Sequence, residues 1–228
     1  MSIIISIEGN IGSGKSTFVK YLQEYTKKNI NLSTNYSINF IQEPVDEWNN
    51  IKDSNEESIL EKFYKNQEDY AFSFQIMAYI TRLRKLVDAI EKNSKGIFVC
   101  ERSLETDKYV FAQMLYNDNK IREIDWIIYN YWFDTFIKKF KTNKIIYIQT
   151  SPNNCYNRVK KRSRLGEECI PLEYLQNCHN YHEQWLTNTS TSLVTIDGNV
   201  DINDVEKYNK ILKNTLEDIL GEYKEKKL

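Results

Sequence analysis

Apolar positions along this chain alternate between two spacings. Short apolar runs at Ile3–Ile7, Ile38–Gln42, Gly96–Cys100, Lys144–Gln149 and Leu193–Ile196 read as β-strands, the middle ones almost continuously hydrophobic. Such runs suit strands buried on both faces. Longer stretches with helical spacing separate them: Ser16–Lys27, which places Phe18, Val19, Leu22 and Tyr25 on one face, then Asp69–Ile90 and Glu123–Phe140. Strands alternating with helices predict an α/β fold, a parallel sheet joined by right-handed crossovers. The stretch "EIDWIIYNYWFDTFIKKF" (123–140) is apolar nearly all round, so it lies centrally in the core or is covered by another chain. A dimer contact is the expectation. The segment "KKNINLSTNYS" (27–37) reads as loose, and the tail from residue 222 should fray.

Between the first strand and the first helix stands "GNIGSGKS", residues 9–16, which matches G-x-x-x-x-G-K-[ST] in the context a phosphate-binding loop requires. Gly9, Gly12 and Gly14 free the backbone to turn N–H groups inward, with Asn10 and Ser13 between them. The helix N-terminus at Ser16 and Thr17 adds its positive dipole. Lys15 suits the β- and γ-phosphates and Ser16 a magnesium ion, so the motif predicts binding of a nucleoside triphosphate.

Charges at strand ends extend this picture. In "QEPVDEW" an apolar run stops on Glu43, with Pro44 stiffening the backbone behind it. In "GIFVCERS" a buried strand stops on Glu101 and Arg102. A solvated strand end is the ordinary reading of a lone glutamate, and a structural ion pair is the ordinary reading of adjacent Glu101 and Arg102. In open α/β sheets, however, ligands sit at the carboxyl ends of the strands, so all three should face the phosphate loop. Glu43 is then placed to take a proton from a hydroxyl nucleophile. A basic cluster, "NRVKKRSR" (157–164), puts Arg158 and Arg162 on one helical face with Arg164 just beyond; as a bare charge run it would be a solvated face. Guanidinium groups there can clamp phosphoryl oxygens, and the following "LGEEC" has the character of a mobile lid, about 158–169.

The bulk figures narrow the classes. A length of 228 residues suits one domain, and 41% hydrophobic residues with a net charge of −1 gives no reason to expect nucleic acid or a membrane surface as partner. No apolar run has the length of a membrane span, and the chain enters a strand at once, which points to the cytoplasm. The cysteines, Cys100, Cys155, Cys169 and Cys178, form no C-x-x-C pair and read as reduced thiols. Cys178, His179 and His182 match no standard zinc spacing.

Taken in order, "GNIGSGKST", "EPVDEW", "FSFQ", "ERSLETDKYVF", "RVKKRSR" and "IPLEYL" with the following "HEQWL" resemble the deoxynucleoside kinase family, nearest its deoxycytidine and purine deoxynucleoside branch. The resemblance runs from the phosphate loop to about Leu186. It implies a P-loop NTPase-type three-layer fold, with a five-stranded parallel sheet, surrounding helices and an Arg-rich lid. It also implies a homodimer through helices 69–90 and 123–140. The activity it implies is transfer of the γ-phosphoryl of ATP, or another nucleoside triphosphate, to the 5′-hydroxyl of a deoxynucleoside, with Mg2+ as cofactor. By the same resemblance, Glu43 is the base and Arg102 holds the hydroxyl and the incoming phosphoryl. Lys15, Arg158, Arg162 and Arg164 serve the phosphates, and Ser16 and Glu101 ligate the metal. Tyr64 and Glu167 grip the 3′-hydroxyl, Gln75 bonds the base edge, and Trp48 and Phe111 enclose the base. Ile11, Leu60, Phe63 and Phe74 line the remaining walls. A glycine in "SRLGEEC" occupies a place often held by an acid in relatives.

Arg82 and Asp107 stand where relatives accepting deoxycytidine and purine deoxynucleosides carry an Arg and an Asp. Such a pair would fill the space of a thymine methyl, so thymidine is expected to be a poor substrate. A thymidine or broad-specificity kinase is the alternative. A nucleoside monophosphate kinase would need an acceptor-phosphate site where Glu43 stands, and that carboxylate would repel it. A non-catalytic scaffold relative would be expected to have lost Lys15, Glu43 or Arg102, all present here.

Overall fold

Ile3, Ile5 and Ile7 of the first strand, β1 (Ser2–Glu8), pack to one side of a sheet, while Ile4 between them packs to the other. That period of two is the direct consequence of strand geometry. The computed structural model describes residues 2–29, 37–162, 164, 166, 167 and 169–225. Most of segment 27–37 and the last residues of the tail, both expected to be loose, lie outside the described residues.

The sheet is five-stranded and parallel throughout, in the order β2 (Ser37–Ile41), β3 (Gly96–Glu101), β1, β4 (Lys144–Gln149), β5 (Ser192–Asp197). Central β1 pairs Ile5 with Val99 on one side and with Lys144 on the other. The continuously apolar reading holds for β1, β3 and β4, which are buried along nearly their whole length. Strands β2 and β5 are edges, and β5 alternates exposed and half-buried positions because only one side of it meets the core.

One face of the sheet is covered by α1 (Lys15–Asn29) and α10 (Val205–Glu225). Phe18, Val19 and Leu22 of α1 meet Leu212, Leu216 and Ile219 of α10 over the odd-numbered isoleucines of β1. The opposite face packs Ile4, Phe98 and Cys100 on Leu86 of the long α4 (Gln67–Lys92), and Ile145 and Tyr147 on Leu186 of α9 (Leu172–Thr187). Beyond α4 a second apolar cluster gathers α2 (Val45–Asn50), α3 (Ile59–Lys65) and α7 (Glu123–Phe136) around Phe63, Phe74, Tyr79 and Tyr129. A composite helix links β3 to that cluster: α5 (Leu104–Thr106), a π-helical turn (Asp107–Ala112) and α6 (Gln113–Asn117). The remaining helix, α8 (Pro152–Arg162), follows β4.

The helix expected over 123–140 ends at Phe136, and only one side of it packs into the core of this chain. Only Asp125, Tyr129 and Phe133 are buried, whereas Ile124, Ile127 and Tyr131 are 58, 56 and 76% exposed. Hydrophobic side chains therefore cover the outward face of α7 as well as the inward one. No helix among the described residues is long and apolar enough to cross a membrane.

Candidate active site

The loop between β1 and α1 is shaped by three glycines with positive φ: Gly9 at 149°, Gly12 at 76° and Gly14 at 99°. Gly12 is also constrained by space. A Cβ there would stand 2.5 Å from the Cys155 carbonyl oxygen and 2.9 Å from Val159 Cγ2, because α8 packs directly on the loop. Asn10 fixes the turn from beneath, its Nδ2 donating to the Leu175 carbonyl at 2.8 Å and its Oδ1 accepting from the N–H of Ile11 at 2.8 Å. Lys15 donates to the Asn10 carbonyl at 2.7 Å. Burial, with the Arg102 charge adding to it, lowers the Lys15 ammonium to about 7. Ser16 Oγ donates to Glu101 Oε1 at 2.5 Å.

The strand-end charges do converge on this loop. Arg102 follows β3 with φ of 65°, an uncommon conformation for a residue with a side chain. Its N–H still continues the ladder to the Ile7 carbonyl at 3.1 Å, and Ser103 turns the chain by donating its N–H to buried Glu8 at 2.9 Å. Arg102 Nε lies 3.1 Å from Glu43 Oε1, and Arg82 of α4 donates through Nη2 to the same oxygen at 3.0 Å. Oε2 of Glu43 has no hydrogen-bond partner among the described residues, so only one carboxylate oxygen is anchored. Burial opposes the Glu43 charge, yet Arg102, Arg82 and Lys15 together hold its carboxyl at about 2. Arg82 also takes both oxygens of Asp107, at 2.9 and 3.1 Å, and donates to the Glu101 carbonyl at 2.9 Å. Arg102 Nη1 is buried without a partner among the described residues, a donor in reserve.

A cleft opens over these groups, walled by Ile11, Trp48, Leu60, Phe63, Phe74 and Phe111. Phe63 and Phe74 stack at 4.5 Å, Trp48 meets Phe74 edge-on at 5.3 Å, and the Arg102 guanidinium lies 4.8 Å over the Phe111 ring. Trp48 is locked by its Nε1 bond to Thr81 at 2.9 Å. Gln75 lines the cleft with its Oε1 buried and unpartnered among the described residues, an amide that is costly to leave so without a ligand. The π-helical turn presents Asp107 and Phe111 to the same cleft. Such turns are frequent at functional sites, and nothing in the sequence pattern distinguished this one from α-helix.

Glu167 and Tyr64 both line the cleft, but no hydrogen bond joins them among the described residues. Glu167 instead accepts from Arg162 and from Arg164, the latter at 3.2 Å. Burial and the Glu167 carboxylate push the Tyr64 hydroxyl well up, so it stays a donor. Arg162 and Arg164 also line a second groove with Ser13, Gly14, Thr17 and Arg158. Two Arg158 donors are committed to backbone, Nη1 to Ser13 O and Nη2 to Gly198 O, each at 2.9 Å. The far wall of this groove, from Asp197 to Asn203 with Tyr208, was missed in the sequence. The signal was there: "DGNVDIND" is a polar turn cluster at the carboxyl end of a strand, where ligands gather in such sheets.

The paired oxygens of Ser16 and Glu101 form a hard donor set beside the phosphate loop, of the kind that suits Mg2+ held jointly with phosphates. Elsewhere among the described residues no group of three or more His, Cys, Asp or Glu side chains is placed to hold a metal. His182 is buried against the Cys178 carbonyl at 2.6 Å, and burial pushes its pKa well down.

Two consequences can be measured. Gly12→Ala forces a side chain into both a left-handed backbone and the Cys155 carbonyl. The variant should lose about 1–3 kcal/mol of stability, and ATP should no longer raise its melting temperature. Gly14→Ala, whose Cβ would meet only Arg158 Nη1 at 3.5 Å, should lose less. The second concerns acid. The Glu43 carboxyl is held at about 2 against 4.5 when unfolded, so its stabilisation is complete above about 4.5 and vanishes as pH falls through about 2. Glu43→Gln should therefore be less stable at pH 7, and its stability should fall less steeply than the native chain's between pH 4.5 and 2 in denaturant titrations.

Comparison with known proteins agrees with this geometry. The family model "Deoxynucleoside kinase" matches residues 5–220. A protein of Fowlpox virus (strain NVSL) named "Probable deoxycytidine kinase" is 36% identical over 219 residues, covering 92% of this chain and 85% of its own. The deoxycytidine kinase of Homo sapiens is 32% identical, covering 93% of this chain and 89% of its own. The mitochondrial deoxyguanosine kinase of Xenopus laevis is 28% identical, over 83% of this chain and 75% of its own. A family match across nearly the whole chain, laid over a phosphate loop and a converging set of strand-end charges, leads to one conclusion: this chain belongs to the deoxynucleoside kinase family and is a nucleoside kinase, a phosphotransferase.

Proposed function

We propose that the chain, as one kinase domain over residues 1–228 with its lid near 158–169, transfers the γ-phosphoryl of ATP or another nucleoside triphosphate to the 5′-hydroxyl of a deoxynucleoside. The observation that carries this reading is Glu43, anchored through Oε1 by Arg82 and Arg102 and open at Oε2, on the rim of the same cleft as Lys15. A neutral hydroxyl suits that carboxylate and an acceptor phosphate does not. As the bond from O5′ to the γ-phosphorus forms and the bond to the leaving diphosphate breaks, the hydroxyl proton passes to Glu43. In a loose transition state that proton moves late, so a weak base in the right place suffices. The unpaired Nη1 of Arg102 then meets the transferring phosphoryl group. Lys15, the loop N–H groups and the arginines Arg158, Arg162 and Arg164 hold the phosphates, Arg158 bracing the loop as well. Mg2+ held by Ser16 and Glu101 would neutralise phosphate charge.

For the acceptor, Gln75 bonds the base edge between Phe111 and the Trp48–Phe74 wall. Tyr64 and Glu167 hold the 3′-hydroxyl, with Tyr64 occupying the space of a 2′-hydroxyl. The Arg82–Asp107 pair favours deoxycytidine, deoxyadenosine or deoxyguanosine over thymidine; broad specificity including thymidine is the other outcome of the assay. We also propose a homodimer, formed by the exposed apolar face of α7, with Ile127, Ile128, Tyr131 and Trp132, and by neighbouring α4, where Ile80 is exposed.

Rates on the four deoxynucleosides and on cytidine, each with ATP and UTP, test the assignment. Glu43→Gln should cost about 10²–10⁴ in turnover with far less change in nucleoside affinity, and a near-native rate would remove Glu43 from the role of base. Sedimentation should give a dimer for the native chain and a monomer for Ile127→Glu with Trp132→Glu.

A further inference from the structure

The group placed to exclude a thymine methyl and the group that anchors the catalytic base are one guanidinium. Arg82 donates four hydrogen bonds from a side chain only 7% exposed. Two go to Asp107 at 2.9 and 3.1 Å, one to Glu43 at 3.0 Å and one to the Glu101 carbonyl at 2.9 Å. A guanidinium is a rigid planar fork, so its donors cannot be displaced independently. A nucleobase that shifts the Asp107 side of the fork shifts the Glu43 side with it. Displacements near 1 Å at a reacting group are worth about 10²-fold in rate, while the surrounding aromatic walls still bury the base.

We infer that Arg82 is a positioning residue that wires nucleobase recognition at Asp107 to the placement of Glu43, so that a base which displaces it is rejected mainly in turnover and only secondarily in binding. This rests on the base preference proposed above and deepens it. Glu43 has a second anchor, Arg102, on the same oxygen at 3.1 Å. A shifted Arg82 therefore leaves the carboxylate in the site but turned out of line, which lowers the rate without emptying the cleft.

The native enzyme tests this without substitution, by comparing turnover on deoxycytidine and thymidine with the inhibition constant of each against the other's phosphorylation. The expected result is thymidine turnover at least about 10²-fold lower, with inhibition constants within about tenfold. Equal turnover with thymidine binding weakened by the whole discrimination would overturn the inference and leave the base preference standing. Arg82→Lys, assayed on whichever deoxynucleoside the native enzyme uses best, separates the two ideas: it keeps the charge but cannot bridge Asp107 and Glu43 together. Its turnover should fall at least tenfold with the Michaelis constant nearly unchanged, even if thymidine proves the best native substrate and the base preference fails. A rise in the Michaelis constant alone would sink the wiring. An unchanged melting-temperature shift with ATP confirms that the variant is folded.

Discussion

Taking a guanidinium out of water is costly unless its N–H groups find acceptors, and around Arg82 the carboxyl-terminal edge of this sheet meets that requirement. Arg82 is 6% exposed and draws its acceptors from three separate places in the chain: the turn after β2, the last residue of β3 and the π-helical turn. Each acceptor is thereby pulled to a common point. Pairing of this sort adds little net stability over a well-packed apolar core. Losing one partner, however, leaves a buried charge uncompensated, at a cost of about 3–5 kcal/mol. The cluster therefore specifies the arrangement more than it strengthens the fold.

Backbone shape supports the same arrangement. Gly12 turns where α8 leaves no room for a side chain, Arg102 occupies a left-handed conformation, and a π-helical turn carries Asp107 and Phe111. The last two are unfavourable locally and persist because their surroundings over-determine them. The ladder bond from Arg102 to Ile7, the Ser103 bond to buried Glu8 and the ion pairs of Arg82 do that here. Glu43, Arg102 and the phosphate loop consequently meet on elements that have little freedom to move.

The two grooves share Arg162 and Arg164, and Glu167, which lines the first of them, pairs with both cations. Arg158, by contrast, spends two donors on carbonyls of the phosphate loop and of the turn after β5, which ties the second groove together.

The sequence by itself determined the parallel sheet, the phosphate loop and the convergence of Glu43, Glu101 and Arg102, because each rests on local rules. Apolar period distinguishes strand from helix, glycines at set intervals make an anion nest, and strand ends in a parallel sheet share one edge. Trp48, Phe74, Gln75 and Phe111 were legible only through resemblance, since an aromatic on a helix looks the same in a core and over a base. Tertiary structure alone decided which oxygen of Glu43 is anchored, that Arg82 serves Glu43 as well as Asp107, and that Arg158 braces carbonyls. It also decided that α7 turns much of its apolar surface outward. These depend on groups 25 to 145 residues apart in the chain meeting within about 3 Å. No local pattern encodes such a meeting, because hydrogen bonding is settled by angles and distances that exist only once the chain has packed.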